Sequence, residues 1–524
     1  MKRYVRIIWI IGLTSGLAFS ENQVEKSHLT ADHSRFAELQ KDFSSGEEVT
    51  QACNGCHNLV DHQFRKTVHW TWSAPGNPEF GKGGNSMNNF CISTNKMHDT
   101  ACLNCHTSWS AKGVDGEVNC LKCHSGQLMN WTEAFDDIEG LEIDPEDEEA
   151  MMFAREIRDE VHASVTNIGL SQRENCGSCH FKGGGGDAVK HGDLDSSLLS
   201  ASRSLDVHMS KEGGNFSCTR CHTTEDHHIA GRIYADPAIH QEQTLVENDR
   251  ASKISCVSCH TEAPHEASRL NNHTRTLSCQ ACHIPEVARE EPTMVEWDWS
   301  TAGRRKDGRP YKEKSEFGGH FYAYKSIKGS FKWEKDLVPE YHWYNGSMSQ
   351  LTFGDEIDPS QTVFVNRPVG RAEDGRSKIV PFKTMRTIQP FDVRLKRLAA
   401  PLLSTPEGFW KTLDWESALA KGMEMQGLTF SGEFDFVPTE FSYSLNHMIA
   451  PAAEALDCVD CHRDGGRLEQ IAGVYIPGRD NNPWADGLGL GMVILSWLGV
   501  LIHGTLRYVG TRKMKRRLAS EVSP

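Results

Sequence analysis

The stretch from residue 88 to residue 124 contains Asn88-Asn-Phe-Cys-Ile92, then Cys102-Leu-Asn-Cys-His106, then Cys120-Leu-Lys-Cys-His124. The last two strings share the pattern Cys-x-x-Cys-His. In this pattern two thiols bond covalently to the vinyl groups of a haem, and the histidine becomes an axial ligand of its iron. The stretch therefore predicts two haems that are close together along the chain. Cys91, just before them, belongs to no such motif.

The same motif recurs along the whole chain and uses all but one of the 17 cysteines. Eight motifs predict eight covalently bound haem c groups, each with its own iron ligand. The cysteines predicted to attach them are Cys53, Cys56, Cys102, Cys105, Cys120, Cys123, Cys176, Cys179, Cys218, Cys221, Cys256, Cys259, Cys279, Cys282, Cys458 and Cys461. The proximal histidines are His57, His106, His124, His180, His222, His260, His283 and His462.

Two other cysteine-rich architectures fit this pattern less well. Zinc knuckles usually occur in pairs, and a histidine directly after every second cysteine has no role in them. A disulfide scaffold does not require the histidines at all. Both readings are therefore disfavoured.

The composition indicates how such a chain folds. Only 38% of the 524 residues are apolar, so the porphyrins must supply much of the buried bulk. We expect a multihaem cytochrome c, mainly α with much irregular structure wrapped around eight covalently bound haems, plus one C-terminal transmembrane helix.

The two ends of the chain predict export and anchoring. Residues 1–20 combine basic residues, an apolar run and a small-residue cleavage site, which is typical of a signal peptide. Residues 487–508 include twenty residues without a formal charge, long enough to span a bilayer as a helix. The basic tail, residues 509–524, predicts a cytoplasmic C-terminus. We therefore expect the chain at the periplasmic face of the inner membrane.

The segments between the ends differ in their density of motifs. Residues 21–290 hold seven motifs, with one longer helix expected from Pro145 to Val165. Residues 291–445 hold none and are predicted to form a mostly irregular wrapping segment, with a helix around Thr412 to Met423. Residues 446–472 carry the eighth haem, and residues 473–486 form a linker.

The charge of the exported part limits its partners. The whole chain has a formal net charge of -15, and residues 21–506 are more acidic, with 47 Lys and Arg against 70 Asp and Glu, a net charge of -23. Such a field repels nucleic acid. It also repels an anionic substrate, which would need a local basic pocket.

A haem with two histidine ligands is saturated and suits electron transfer, whereas a reactive haem needs an open or displaceable position. Seventeen of the 25 histidines remain after the proximal ligands are assigned. The candidates for distal ligands lie in motif-dense regions or close before a motif. They are His69, His191, His208, His228, His265, His273 and His447.

Several longer strings are shared with one known family. The chain resembles the tetrathionate reductase family of octahaem cytochromes c over residues 40–470. The strings that carry this resemblance are His69-Trp-Thr-Trp72, Asn88-Asn-Phe-Cys-Ile92, Cys176-Gly-Ser-Cys-His-Phe181, Val189-Lys-His-Gly-Asp-Leu-Asp195, Asp206-Val-His-Met209, Cys279-Gln-Ala-Cys-His-Ile-Pro285 and Trp297-Asp-Trp-Ser-Thr-Ala-Gly303.

The resemblance implies seven bis-histidine haems and one catalytic haem, the second in sequence. That haem would be attached at Cys102 and Cys105 and ligated by His106, with Cys91 as the family's cysteine beside it. The family reduces tetrathionate, nitrite and hydroxylamine, and its catalytic haem has a distal lysine shortly after the third motif. Here residues 125–131 contain no lysine. The distal position is then empty or taken by one of three other residues, namely Met129, Lys96 or His98.

Three functions follow as hypotheses. The first is a reductase of a small oxidised sulfur or nitrogen species, fed by a quinol-oxidising membrane cytochrome or a periplasmic electron carrier. The second is a non-catalytic conduit between the quinone pool and periplasmic partners. The third is an oxidase of the hydroxylamine oxidoreductase type, which uses a tyrosine linked to the catalytic porphyrin.

Overall fold

The computed structural model describes residues 30–71, 73–74, 77–81, 105–109, 116–142, 146–231 and 254–521. The predicted signal peptide, residues 1–20, lies outside these ranges. Two regions of different character follow one another along the described chain. Short helices and loops surround a large cavity in the first, and a β-sheet dominates the second.

Short helices carry several of the haem motifs and position their histidines. The helix α1 (Gly46–Cys56) begins after Ser45, whose side chain accepts a hydrogen bond from the amide of Glu48, and it ends at His57 of the first motif. The other helices are α2 (Val60–Phe64), α3 (Val68–Thr71), α4 (Leu121–His124), α5 (Trp131–Leu141), α6 (Glu148–Thr166), α7 (Arg173–His180), α8 (Ser268–His273), α9 (Gln280–His283), α10 (Phe409–Thr412), α11 (Trp415–Met425), α12 (Cys458–Cys461) and α13 (Pro483–Glu521).

The longer helix predicted from Pro145 to Val165 is confirmed as α6. Asp147 caps its first turn by accepting from the amide of Ala150, and two glutamates in that turn favour the helix N-terminus. Its buried face packs with α5 on a small apolar cluster that includes Trp131 and Val161. This cluster supports the first and third motifs from one side.

The prediction of mostly irregular structure for residues 291–445 is wrong. A nine-stranded sheet lies within this segment, in the order β13-β17-β15-β5-β10-β9-β8, with β11 and β16 also paired to β15. For the same reason, the prediction that the chain is mainly α is not confirmed. The strands of the chain are β1 (Ser73–Ala74), β2 (Asn77–Gly81), β3 (Thr224–Glu225), β4 (His228–Ile229), β5 (Thr293–Asp298), β6 (Arg305–Lys306), β7 (Arg309–Pro310), β8 (Lys312–Lys314), β9 (Tyr322–Lys325), β10 (Gly329–Glu334), β11 (Glu340–Tyr344), β12 (Ser347–Gln350), β13 (Val363–Phe364), β14 (Asn366–Val369), β15 (Lys378–Asp392), β16 (Arg397–Leu398) and β17 (Phe434–Ser444).

The strand β15 organises this sheet. It pairs antiparallel with β17 from Phe382 to Asp392 and parallel with β5 at Arg386 to Ile388. Most of its residues are buried, polar ones included, so the polar–apolar alternation that marks a strand with one wet face is absent. That burial explains why the sequence pattern gave no strand signal here.

A large apolar core covers one side of the sheet. The helix α11, predicted around Thr412 to Met423, is confirmed, and it packs Ala418, Leu419 and Met423 into this core. Trp297 and Trp299 stack there with ring centroids 4.7 Å apart. This region therefore has the conventional hydrophobic core that the composition had seemed to lack.

The C-terminal helix α13 has a different environment. It is 39 residues long, and an 18-residue window within it has a mean hydropathy of 1.8 with none of that window buried. By length and composition it is the one described helix that fits a membrane span. The preceding linker is held on the protein by Ile476, which shares an apolar cluster with Tyr341 and Ile379.

Candidate haem sites

A continuous cavity of about 3580 Å³ runs through the first region, and its wall carries cysteines and histidines of most motifs. Pockets for single small ligands usually hold about 300–1,000 Å³, so this cavity has room for several large groups. Within the described ranges, no three His, Cys, Asp or Glu side chains converge as a metal-ligand set.

Among the described residues, histidine rings lie opposite one another in seven pairs, each containing one motif histidine. The ring centroids in these pairs are 6.0–6.4 Å apart. The pairs, in motif order, are His57 with His33, His124 with His227, His180 with His69, His222 with His447, His260 with His208, His283 with His265, and His462 with His273.

This spacing fits two imidazoles that bind one iron from opposite sides. An imidazole nitrogen binds a metal at about 2.0 Å and lies about 1.1 Å from its ring centroid, so two axial rings are about 6.3 Å apart between centroids. The cysteines beside each motif histidine supply the thioether positions. The residues present therefore fit haem c at these seven motifs.

Five of the seven distal candidates lie opposite a motif histidine: His69, His208, His265, His273 and His447. The other two do not occupy such a position in these pairs. His191 is buried beside Asp193 with its ring 5.3 Å from that of Tyr443, and burial lowers its pKa well below the usual range. His228 is exposed on strand β4.

Two histidines that were not predicted as distal ligands, His227 and His33, lie opposite the remaining motif histidines, His124 and His57. His227 sits at the turn of the β3–β4 hairpin, where Asp226 and His227 both have positive φ, 48° and 66°. This turn directs His227 rather than its neighbour His228 towards His124. His33 lies in a single helical turn, residues 33–35, within the polar stretch before the first motif.

Hydrogen bonds at Nδ1 orient several of these rings. The Nδ1 atom lies 2.7 Å from the Ala230 carbonyl oxygen in His222, 3.0 Å from that of Gly169 in His124, and 3.1 Å from that of Pro477 in His462. An Nδ1–H that donates to a carbonyl fixes the tautomer and leaves Nε2 free to bind a metal. Each ring is therefore already oriented for axial ligation.

Contacts between motif cysteines show which sites are neighbours. The first cysteines of neighbouring motifs lie close together in the pairs Cys53–Cys120, Cys176–Cys218 and Cys256–Cys279. Second cysteines interact in the pairs Cys123–Cys179, Cys221–Cys259 and Cys282–Cys461. Along the series of motifs, a pair of first cysteines is followed by a pair of second cysteines, and this alternation repeats. These contacts connect the motifs in the order first, third, fourth, fifth, sixth, seventh and eighth.

The second motif joins this series from the side. The Cys179 thiol lies 4.0 Å from the Cys105 carbonyl oxygen, and Lys122 interacts with Cys105, Cys123 and Cys179. The second site therefore adjoins both the third and the fourth. Cys102 lies outside the described residues.

The histidine of the second motif has its own set of contacts. His106 is 1% exposed, its ring centroid lies 5.1 Å from that of Trp70, and its Nε2 lies 3.1 Å from the Trp70 carbonyl oxygen. Nδ1 lies 3.1 Å from the Ser108 hydroxyl. Burial, together with the positive charge of Lys122, lowers the pKa of His106. Because Nε2 of His106 lies on a backbone carbonyl, this ring is not oriented for iron in the way that His222, His124 and His462 are.

Lys122 lies inside the third motif but reaches the second site. Its ammonium donates to the carbonyl oxygen of His106, and burial lowers its pKa. Met129, one of the three distal candidates for this site, packs instead against the apolar cluster of α5 and α6, with its sulfur 3.9 Å from the Ser164 hydroxyl. Cys91, Lys96 and His98 lie outside the described residues.

Comparisons with known proteins agree with this arrangement. Residues 294–465 match the family model described as "Cytochrome c bacterial". An octahaem cytochrome c of known crystal structure, from Shewanella oneidensis, is 35% identical to the chain with a TM-score of 0.68. The match covers 83% of this chain and 94% of that one. No curated protein sequence matches the chain.

Proposed function

The chain belongs to the octahaem cytochromes c, and we propose that it is an exported reductase that delivers several electrons to a small oxidised sulfur or nitrogen species at its second haem site. The observation that carries the proposal is the branch at the second motif. Seven sites with facing histidines form a linear series, and the second motif adjoins two of them at once. Electrons stored along the series can thus reach a single site from two directions.

The residues around the seven paired sites favour electron transfer. When bound, the haems supply one-electron redox chemistry and, where an axial position is open, a place for substrate. A histidine on each side closes both axial positions, and rigid hydrogen bonds at Nδ1 limit the movement of the rings. We assign these seven sites to electron storage and transfer.

The cavity wall provides the local basic pocket that an anionic substrate requires. Among the described residues that line the cavity, ten are Lys or Arg and six are Asp or Glu, within a chain of net negative charge. The lysines are Lys66, Lys122, Lys182, Lys190, Lys328 and Lys378. Positive charge concentrated at an enclosed surface raises the local concentration of anions. Tetrathionate and nitrite are both anions, so the pocket supports substrates of this class.

The lysine implied by the family resemblance does not have to follow the third motif. Lys122 already contacts the backbone of His106. Lys190 follows the glycine run after the fourth motif, and its ammonium lies 5.3 Å from the ring of Tyr443 on the cavity wall. We propose Lys122 as a residue that distinguishes substrates at the second site, and Lys190 as part of the positive charge on the cavity wall.

Cys91 has a proposed role in the same site, as nucleophile, redox partner or positioning group. Reduction of tetrathionate takes up two electrons, breaks the central S–S bond and releases two thiosulfate ions. A nearby thiol can exchange with sulfur. For nitrogen substrates, the thiol would position the substrate rather than react with it.

Turnover measurements test the proposal directly. The purified full-length protein, with a reduced dye as donor, is expected to reduce at least one of tetrathionate, nitrite and hydroxylamine, and Cys91→Ala is expected to lower the rate at least tenfold. Unchanged turnover in that variant would remove the thiol from the mechanism. Absence of turnover with all three substrates would contradict the reductase.

The second candidate function is a pure electron conduit, which the seven closed histidine pairs favour. An electron paramagnetic resonance spectrum separates the two functions. A reductase is expected to show one haem that changes its signal when nitrite or cyanide is added, whereas a conduit shows eight low-spin haems that do not respond.

We further propose that α13 anchors the chain at the periplasmic face of the inner membrane, next to a quinol-oxidising partner. Its 39 residues exceed the roughly 20 needed to cross a bilayer. Deletion of residues 483–524 is expected to release an active protein into the soluble periplasmic fraction. Recovery of that variant in the membrane fraction would contradict anchoring by this helix.

A further inference from the structure

The aspartate Asp193 lies next to the proposed distal ligand of the fifth haem site. It is 1% exposed and lies in the loop after α7. Its Oδ2 accepts hydrogen bonds from the amides of Asn446, at 2.6 Å, and His447, at 2.9 Å. The same oxygen lies 3.4 Å from Nδ1 of His447. One carboxylate thus holds both the backbone and the ring of this histidine.

This arrangement differs from that of other proposed iron ligands. At His222, His124 and His462 the group beside Nδ1 is a neutral backbone carbonyl. At His447 it is a carboxylate buried away from water. Its second oxygen, Oδ1, is buried without a hydrogen-bond partner among the described residues and lies 3.9 Å from His191 Nδ1.

The surrounding contacts keep Asp193 in place. Lys383, on β15, is 2% exposed and donates to the carbonyl oxygens of Val189, at 2.9 Å, and Lys190, at 3.1 Å. It also donates to the Thr293 hydroxyl at 2.6 Å. These bonds fix the start of the loop that carries Asp193 to the sheet, so the distance between the carboxylate and His447 is set by packed elements on both sides.

A carboxylate beside Nδ1–H makes an imidazole a stronger electron donor to its metal. Stronger donation and a nearby negative charge both favour the higher oxidation state of the metal. In a buried setting this electrostatic effect is larger than it is in water. The effect at the fifth site therefore opposes reduction.

We propose that Asp193 is a positioning residue that lowers the reduction potential of the fifth haem site. The inference rests on the proposed function only in assuming that His222 and His447 ligate one iron. It is independent of the substrate and of the second site. The fifth site, which lies between the fourth and sixth in the series of seven, is then harder to reduce than it would be without Asp193.

The test uses the full-length protein with its haems attached. In Asp193→Asn the side chain keeps an oxygen that accepts from the two amides but loses its charge. A redox titration followed by visible absorption is expected to show one of the haem components at a higher potential, with at least a tenfold change in its one-electron equilibrium constant, about 59 mV. The other components are expected to stay where they are.

Asp206 provides a matched control. It is also buried and accepts from the amides of His208, Met209 and Ile449, but its carboxylate lies 4.0 Å from Nδ1 of His208. Asp206→Asn is expected to shift its component by much less than Asp193→Asn does. An equal shift in both variants, or no shift in Asp193→Asn, would overturn the role of Asp193.

Two more variants keep the outcome interpretable. Asp193→Ser removes the charge with a smaller side chain, and it is expected to raise the same component if Asp193→Asn does not fold. His447→Ala is expected to convert one low-spin haem to high spin. If it leaves every haem low-spin, the ligand pairing fails, and the role of Asp193 fails with it, whereas the reductase activity is judged separately by turnover.

Discussion

The two regions of the chain are held together in different ways. In the sheet region, residues 293–444, a large cluster of aromatic and aliphatic side chains fills the space between β15, β5 and α11. In the haem region, residues 30–283, apolar clusters are small and the space between loops is the cavity of about 3580 Å³. One region therefore depends on its own side chains and the other on its cofactors.

Loss of one haem gives the largest expected effect and acts on the haem region alone. Cys279→Ser with Cys282→Ser removes both attachment points of the seventh motif. A covalently attached haem fills its part of the cavity and gains its distal histidine only in the folded state, so its loss is expected to cost residues 254–283 their protection against hydrogen exchange. Strands β15 and β17 are expected to keep theirs.

Hydrogen exchange measured by mass spectrometry checks this result. Cys91→Ser is the matched control, because it removes a cysteine that belongs to no motif and is expected to leave all eight haems attached. Equal loss of protection in the sheet would contradict the division into two regions.

A core substitution in the sheet is expected to have the next largest effect. The Phe382 side chain is fully buried, and its ring lies 5.5 Å from that of His342 and 5.4 Å from that of Tyr344. Phe382→Ala should lower the free energy of unfolding by about 3–5 kcal/mol. Exchange rates of β15 amides measure the change, and the haem spectrum is expected to remain unaltered.

An exposed phenylalanine on the same sheet serves as the control for Phe382. Phe364 is 41% exposed, and the guanidinium of Arg367 lies 4.5 Å from its ring centroid. Phe364→Ala is expected to cost less than about 1 kcal/mol. Similar costs for the two variants would show that the apolar cluster of Met348, Val380 and Phe382 does not stabilise this part of the sheet.

A pH effect is expected from a buried carboxyl in the haem region. Asp195 caps the turn Ser196–Ser200, and burial raises its pKa to about 7. Between pH 4 and 7 the unfolded chain releases a proton that the folded chain keeps. Stability therefore falls as pH rises through this range, and the loss persists above it.

Asp195→Asn removes that titration while retaining an oxygen for the cap. The variant is expected to be more stable than the wild type at pH 8, by at most a few kcal/mol, and this advantage should shrink towards pH 5. Thermal unfolding followed by circular dichroism at both pH values measures it. A constant difference between the two proteins at all pH values would contradict the assignment.

The smallest expected change in stability comes from opening one axial position. His227→Ala should convert the third haem to a high-spin or ligand-exchanging form while the fold persists. His228→Ala, at the next residue on the exposed strand β4, is expected to leave all spectra unchanged. Electron paramagnetic resonance distinguishes them, and a response from His228→Ala alone would reverse the assignment of the hairpin.

The sequence alone predicts those parts of each haem site whose residues are adjacent in the chain. Each Cys-x-x-Cys-His motif specifies its own proximal ligand, because the chemistry of attachment requires these residues side by side. The distal ligands are not local. The choice between His227 and His228 depends on which residue occupies the turn of a short hairpin, and His33 stands in a polar stretch without periodicity.

The sheet could not be recognised from the sequence for a different reason. Strand β15 is buried on both faces and includes Lys383, Thr384, Thr387 and Gln389 among its buried residues. Lys383, Thr384 and Thr387 have hydrogen-bond partners far away in sequence, such as Thr439 for Thr387. The sequence pattern predicts that these polar residues are exposed, because it does not show hydrogen-bond partners that lie far away in the chain.

The order of cysteine contacts has a consequence for how the protein is made. Apart from the second motif, neighbouring sites follow the order of the sequence, so each new haem site can pack on the one completed before it as the chain emerges during export. Two sites are exceptions. The third site is completed only when His227 follows the fifth motif, and the fifth site only when His447 is reached, far later in the chain. Closure of the fifth site comes only after the sheet has been synthesised. The contact between Asp193 and His447 would then form late in assembly, and it would join the first region to the second.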